Sequence, residues 1–217
     1  MASLERDHHG ERAGIDLAYP FRGRCLVQNS PADRVPSHGT QRFATAFAID
    51  FVPVDGAGRS GAITGRTLVR PEPADVFVGF GRPVLAPVTG TVVAVHDGED
   101  DHAAFRGLPS LWYALTQAGR VAAGWQALAG NHVLIAPRSG VVVAVCHLRR
   151  GSIRVAPGER VAVGDGVGEC GNSGNSTEPH VHVQAMDGTD PSSAAAIPVT
   201  FGGRLPAGGT IVTGAPG

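Results

Sequence analysis

The 217-residue chain carries 18 basic and 19 acidic residues, and its formal net charge of −1 offers no basic field for nucleic acid and no polybasic patch for a membrane. Every basic residue is Arg, and the lack of Lys excludes Schiff-base chemistry and lysine-attached lipoyl or biotin groups. With 42% hydrophobic residues the chain can bury a core, while 31 Gly and 16 Pro scattered between Val-rich runs predict short strands joined by turns, an all-β fold with little helix.

Residues 1–14, "MASLERDHHGERAG", are expected to form a mobile polar tail in which His8 and His9 are solvated. This stretch lacks the apolar core of a secretory signal, and no run approaches the ~18 apolar residues of a membrane span, so the chain as encoded reads as cytoplasmic. Residues 15–203 are expected to form a single β domain. It opens with the strand patterns "RCLVQN" and "FAIDFVPV", followed by a loop, "DGAGRSGAITG". Two stretches, "RPVLAPVTGTVVAVHDG" and "RVAPGERVAVGDGVGECG", each read as strand, tight turn and strand. They suggest related hairpins of an antiparallel two-sheet sandwich or barrel-like core.

Between these stretches, residues 108–129 break the β rhythm. Leu111, Leu115 and Ala118 fall at helical spacing and predict one or two short inserted helices. Trp112, Tyr113 and Trp125 in this insertion suit core packing, or would narrow substrate choice if the insertion walls a cleft. "GNHVLIAP" and "GVVVAVCHL" then read as an adjacent strand pair, "AIPVTF" as a last strand, and residues 204–217 as a Gly-rich tail.

Cys25, Cys146 and Cys170 are odd in number and show no C-x-x-C spacing, so they read as buried thiols. Alternation places Cys146 and His147 on opposite strand faces, which argues against a Cys-His catalytic pair. "GVGECG" is followed by "NSGNSTEP" rather than a helix, so it reads as a turn instead of a nucleotide loop, with Ser173, Asn175 and Ser176 candidates to line a site. "HDGEDDH" lacks the spacing of a calcium loop and reads as a solvated acidic turn, which leaves His96 and His102 aside; His132 reads as structural.

The stretch "EPHVHVQ" concentrates the chemistry. His180 and His182 share one strand face, and two imidazoles there are either satisfied, partly buried rings or a metal ligand beside a proton-handling partner. His147 closes the apolar run "VVVAVCH", and Asp50 sits inside "AFAIDFV", where a carboxylate needs a cation or an ion-pair partner.

Taken in order, these residues resemble the lysostaphin-type zinc endopeptidases, which cut peptide bridges in bacterial cell walls. The resemblance runs over about residues 17–202 and rests most on "GNHVLI", on "HLRRGSIRVAPGERVAVGDGVGECGNSGNSTEPHVHVQ" and on "VLAPVTGTVVAV". It implies a Zn2+ held by His38, Asp50 and His182, with His147 and His180 as the two non-ligand histidines that orient or deprotonate a metal-activated water and stabilise the oxyanion. It implies hydrolysis of peptidoglycan cross-bridge or stem peptides as the activity. The chain departs from the family pattern at three places. Twelve residues separate His38 from Asp50 where the usual motif has four; Val145 replaces a Tyr; and Gln184 stands where Glu is common. A non-catalytic binding or scaffold protein of the same fold is the alternative reading, and a carrier domain is excluded by the absent Lys.

Overall fold

The structure is a computed structural model that describes residues 13–214 apart from 66, 138 and 139. Residues 1–12, which include His8, His9 and most of the expected tail, lie outside the described residues. In chain order the strands are β1 (Ile15–Leu17), β2 (Gly23–Gln28), β3 (Ile49–Pro53), β4 (Pro83–Leu85) and β5 (Gly90–His96). Three helices follow, α1 (Leu108–Leu115), α2 (Gln117–Ala123) and α3 (Trp125–Ala129). The remaining strands are β6 (Asn131–Ala136), β7 (Val142–Leu148), β8 (Arg160–Val161), β9 (Gly166–Glu169), β10 (Val181–Met186), β11 (Ala196–Ile197), β12 (Val199–Phe201) and β13 (Ile211–Gly214).

One curled nine-stranded sheet dominates, in the order β13-β2-β3-β10-β7-β6-β5-β8, with β11 added beside β10. All its pairings are antiparallel. A two-stranded sheet, β4 with β9, and a parallel pair, β1 with β12, cover one face. Between these layers lies the main core, where Ile49 and Phe51 of β3, Val143 and Val145 of β7 and Val181 and Val183 of β10 meet Val84, Val167, Val199 and Phe201. Period-two alternation fills this face with apolar residues and sends the intervening side chains to the other. Phe51 anchors the core with Tyr19, Phe21 and Phe201, its ring 5.0 to 5.7 Å from each of theirs.

The two similar stretches do not fold as separate hairpins. β4 pairs with β9 and β5 with β8, so each stretch supplies one strand to the other's partner. Pairing with a remote partner leaves no local sequence signal, because both strands of each pair look equally apolar. Within residues 204–217, expected as a loose tail, Ile211–Gly214 pairs with β2 and forms the sheet edge. Its β-branched residues Ile211, Val212 and Thr213 satisfy backbone groups that β2 would otherwise leave open. The helical insertion folds as three short helices, and among the described residues no helix is long and apolar enough to cross a membrane.

Candidate active site

The face of the main sheet opposite the core carries the polar residues. Register sets Gln28 opposite Asp50, Asp50 opposite His182, and His182 opposite Cys146, one row across β2, β3, β10 and β7. The row opens into a cleft of about 650 Å3. His38 reaches it from the loop before β3, and His180 sits just before the first residue of β10. The twelve-residue separation of His38 and Asp50 is bridged by that loop, which folds back so that the side chains meet.

Ligand-type atoms of His38, Asp50 and His182 all lie within 4.8 Å of one another. His38 Nε2 is 3.1 Å from Asp50 Oδ2, and His182 Nδ1 is 2.9 Å from Asp50 Oδ1. Two ligands on one tetrahedral zinc at 2.0–2.2 Å stand about 3.4 Å apart, so a nitrogen, oxygen, nitrogen set of this spacing suits that ion. Asn29 donates from Nδ2 to Asp50 Oδ2 over 2.7 Å and fixes the carboxylate plane. Burial pushes the Asp50 pKa up, but the neighbouring His38 and His180 charges and the hydrogen bonds from His182 and His38 outweigh it and hold it well below the usual carboxylate range. Burial pushes His182 down; the hydrogen bond to Asp50 and its charge outweigh this and leave the imidazole above its ordinary value.

The two remaining histidines point basic nitrogens into the same cleft. His147 Nδ1 donates to the Ser173 carbonyl over 2.9 Å, and His180 Nδ1 donates to the Glu178 carbonyl over 2.8 Å. A carbonyl can only accept, so each Nδ1 carries the proton and each Nε2 is the free base in the neutral ring. Their rings are 4.6 Å apart, and His180 Nε2 is 3.6 Å from Asp50 Oδ1. Burial, then the charges of His180 and His182, hold the His147 pKa well below the ordinary histidine value, which keeps the ring neutral at pH 7.

His147 also corrects the expectation for Cys146. Val141, Val143, Val145 and then Leu148 belong to the main core, whereas Val142, Ala144 and Cys146 pack on the opposite face. The alternation therefore slips by one residue at His147, whose φ of 62° is left-handed, where β7 and β6 lose register. This local bulge turns His147 out of the core, and both it and Cys146 line the cleft. Such a backbone costs on the order of 1–3 kcal/mol and is held by its surroundings, here the Ser173 bond. The Cys146 thiol is pushed up by burial and by the Asp50 charge, so it stays protonated and is no nucleophile.

Of the other candidates, Ser173 and Ser176 do hold site histidines, the first by its carbonyl and the second with Oγ 3.0 Å from His180 Nδ1; Asn175 lines the cleft. His102 and His132 bond to backbone carbonyls and play structural parts. The insertion walls the cleft through Tyr113, Arg120 and Trp125. Arg120 lies 3.7 Å over the Tyr113 ring and donates to Asn175 Oδ1 over 2.7 Å, so this wall is tied to the turn before β10. Replacing residues 109–126 with a short Gly/Ser linker should shift preference among peptide substrates while metal uptake persists, read by competition cleavage assays on mixed peptides. Asn29 was missed in the sequence, because a lone Asn at a strand end carries no signal until Asp50 is placed beside it.

Residues 113–194 match the family model described as peptidase family M23. This stretch contains His147, His180 and His182, while His38 and Asp50 precede it. Among solved structures, the protein is similar to the catalytic domain of lysostaphin from Staphylococcus simulans, at 18% identity over 69% of this chain and 73% of that one, with a TM-score of 0.39. It is also similar to a catalytic-domain mutant of the prophage-encoded M23 protein EnpA from Enterococcus faecalis, at 20% identity over 70% and 73% with a TM-score of 0.39. A zinc containing peptidase from Vibrio cholerae aligns at 15% identity over 88% of this chain and 42% of that one, with a TM-score of 0.41.

Proposed function

We propose that residues 15–214 form one zinc-dependent endopeptidase domain that hydrolyses peptide bonds in peptidoglycan cross-bridges or stem peptides. The observation that carries this reading is the convergence of His38, Asp50 and His182 beside two histidines whose Nδ1 protons are already committed to backbone carbonyls. The M23 match over residues 113–194 supports the peptidase class. The wide chain spacing of His38 and Asp50 is compatible with this reading, since their side chains approach to 3.1 Å.

His38, Asp50 and His182 would hold the ion. Zinc, when bound, supplies Lewis acidity that polarises a carbonyl and acidifies a water. His147, neutral at pH 7, accepts the proton of the attacking water at Nε2 and returns it to the departing amine nitrogen. His180 orients the water from the adjacent position and stabilises the oxyanion. All four of Asp50, His147, His180 and His182 are less than 10% exposed, so these transfers take place away from bulk solvent.

Incubation of purified protein with peptidoglycan, followed by analysis of released peptides, tests the reading. Cleavage should vanish on chelation and return with stoichiometric zinc. Apo protein should remain folded, because the Asp50 ion pairs persist without the ion. Its thermal stability should rise on zinc addition by about 2.7 kcal/mol at a hundredfold excess over Kd. A protein that takes up no zinc, or that cleaves equally well after chelation, would sink the proposal.

A further inference from the structure

The departures from the family pattern at the His38 to Asp50 spacing and at Gln184 meet in space. Gln184 is fully buried on the same face of β10 as His182. Its Oε1 is 3.0 Å from His182 Nε2, and its Nε2 is 2.9 Å from the carbonyl of Phe43, a residue of the long loop between His38 and Asp50. On the other side, Ser37 Oγ is 3.0 Å from His38 Nδ1 and donates over 3.2 Å to the carbonyl of Thr45, in the same loop.

Both relays end on a group that can only accept. The Phe43 carbonyl requires the amide NH2 of Gln184, which leaves Oε1 to accept from His182 Nε2–H and leaves Nδ1 to donate to Asp50 or, once that proton is lost, to bind a cation. The Thr45 carbonyl takes the Ser37 hydroxyl proton, so the Ser37 oxygen accepts from His38 Nδ1–H and leaves His38 Nε2 to donate to Asp50 or to bind a cation in the same way. Those two nitrogens are the ones that face Asp50, at 2.9 and 3.1 Å. The loop presents these carbonyls through a left-handed backbone at Phe43 (φ 56°) and Ala44 (φ 58°), and the Phe43 ring rests 6.4 Å from that of Trp125.

We infer that the loop between His38 and Asp50 is a clamp that holds a proton on the far nitrogen of both ligand histidines, acting through Ser37 on His38 and through Gln184 on His182, so that the nitrogens facing Asp50 converge on one cation. Ser37 and Gln184 are positioning residues in this scheme, and neither touches substrate. A Glu at position 184 could still accept from His182 but has no proton for Phe43, so the amide and the long loop belong together. The inference rests on the zinc reading for its purpose, and on the hydrogen-bond relay alone for its geometry.

The test is zinc affinity, by competition with a chromophoric chelator, combined with 15N spectra of histidine-labelled metal-free protein. Wild-type protein should show hydrogen-bonded protons on His182 Nε2 and His38 Nδ1. Gln184→Leu should abolish the hydrogen bond at His182 Nε2 and weaken zinc binding by about 10- to 100-fold, the range for lost support of a metal-ligating histidine. Ser37→Ala should do the same to His38 alone, and serves if the buried Leu variant fails to fold. Gln184→Glu should keep the hydrogen bond at His182 Nε2, lose less affinity than Gln184→Leu, and speed amide hydrogen exchange over residues 40–48. Unchanged ring hydrogen bonds and unchanged zinc affinity in Ser37→Ala or in a folded Gln184→Leu protein would overturn the clamp. Absence of zinc binding in wild-type protein would overturn the proposed function instead, while the 15N spectra would still decide the relay.

Discussion

His147→Ala and His180→Ala should each retain stoichiometric zinc and lose turnover by about 10²- to 10⁴-fold, the usual contribution of a positioned acid or base. Asp50→Ala and His182→Ala should lose both. The division follows from which nitrogen faces what. His147 and His180 spend Nδ1 on backbone carbonyls, and His180 comes no nearer to Asp50 than 3.6 Å, whereas Asp50 hydrogen-bonds with His38, His182 and Asn29. Metal content by elemental analysis and initial rates on one defined peptide check this. Loss of zinc in the His147 and His180 variants would mean that the roles are exchanged. Because the two histidines act on one transfer, the double variant should lose much less than the product of the single effects.

Gly174→Ala should be strongly damaging although it replaces none of the residues that carry the chemistry. Gly174 has φ 72°, and an added Cβ would lie 2.6 Å from the Leu128 carbonyl oxygen and against the Gly130 backbone nitrogen. The left-handed conformation alone costs a residue with a Cβ about 1–2 kcal/mol, and these neighbours are backbone that cannot rotate away. A total above about 2 kcal/mol would lower Tm by at least 4–8 °C in a chain of this size. The functional effect should exceed the thermal one. Ser173, the preceding residue, holds His147 by its carbonyl, and the Gly174 carbonyl accepts from Tyr113 of the cleft wall over 2.9 Å. A displacement of about 1 Å at this turn can cost on the order of 10²-fold in rate. Calorimetry and steady-state kinetics on the purified variant would separate the two, and a variant with normal kcat would remove the turn from the catalytic machinery.

What the sequence disclosed was mostly what alternation controls. Val181, His182, Val183 and Gln184 fall on the faces that period two assigns, and so do Ile49, Asp50 and Phe51, but that Asp50 and His182 share one site was implied only by the resemblance to the zinc endopeptidases. The features that escaped it are those imposed by the rest of the molecule. The bulge at His147 brings it to the same cleft as Cys146, against the expected opposition of the two, and nothing in "AVCHL" marks a left-handed histidine. Asn29, Phe43 and Ala44 likewise adopt positive φ without Gly. The exchange of partners among β4, β5, β8 and β9, and the return of β13 to the sheet edge, depend on long-range pairing between strands of similar composition. The spacing of His38 and Asp50 looked like damage to a motif. In the folded chain, that extra length contains the carbonyls against which both ligand histidines are set.

The neighbours Asp50 and His182 lie 132 residues apart in the chain, on strands that pair directly. A ribosome that has completed β3 has therefore made His38 and Asp50 but no His182, and the last ligand emerges only after the helical insertion, β6 and β7. Until β10 slots between β3 and β7, the chain has neither a full ligand set nor its reactive histidines in place. On the proposed function, synthesis itself would delay hydrolytic competence: a nascent or prematurely terminated chain lacking β10 would hold no complete ligand set.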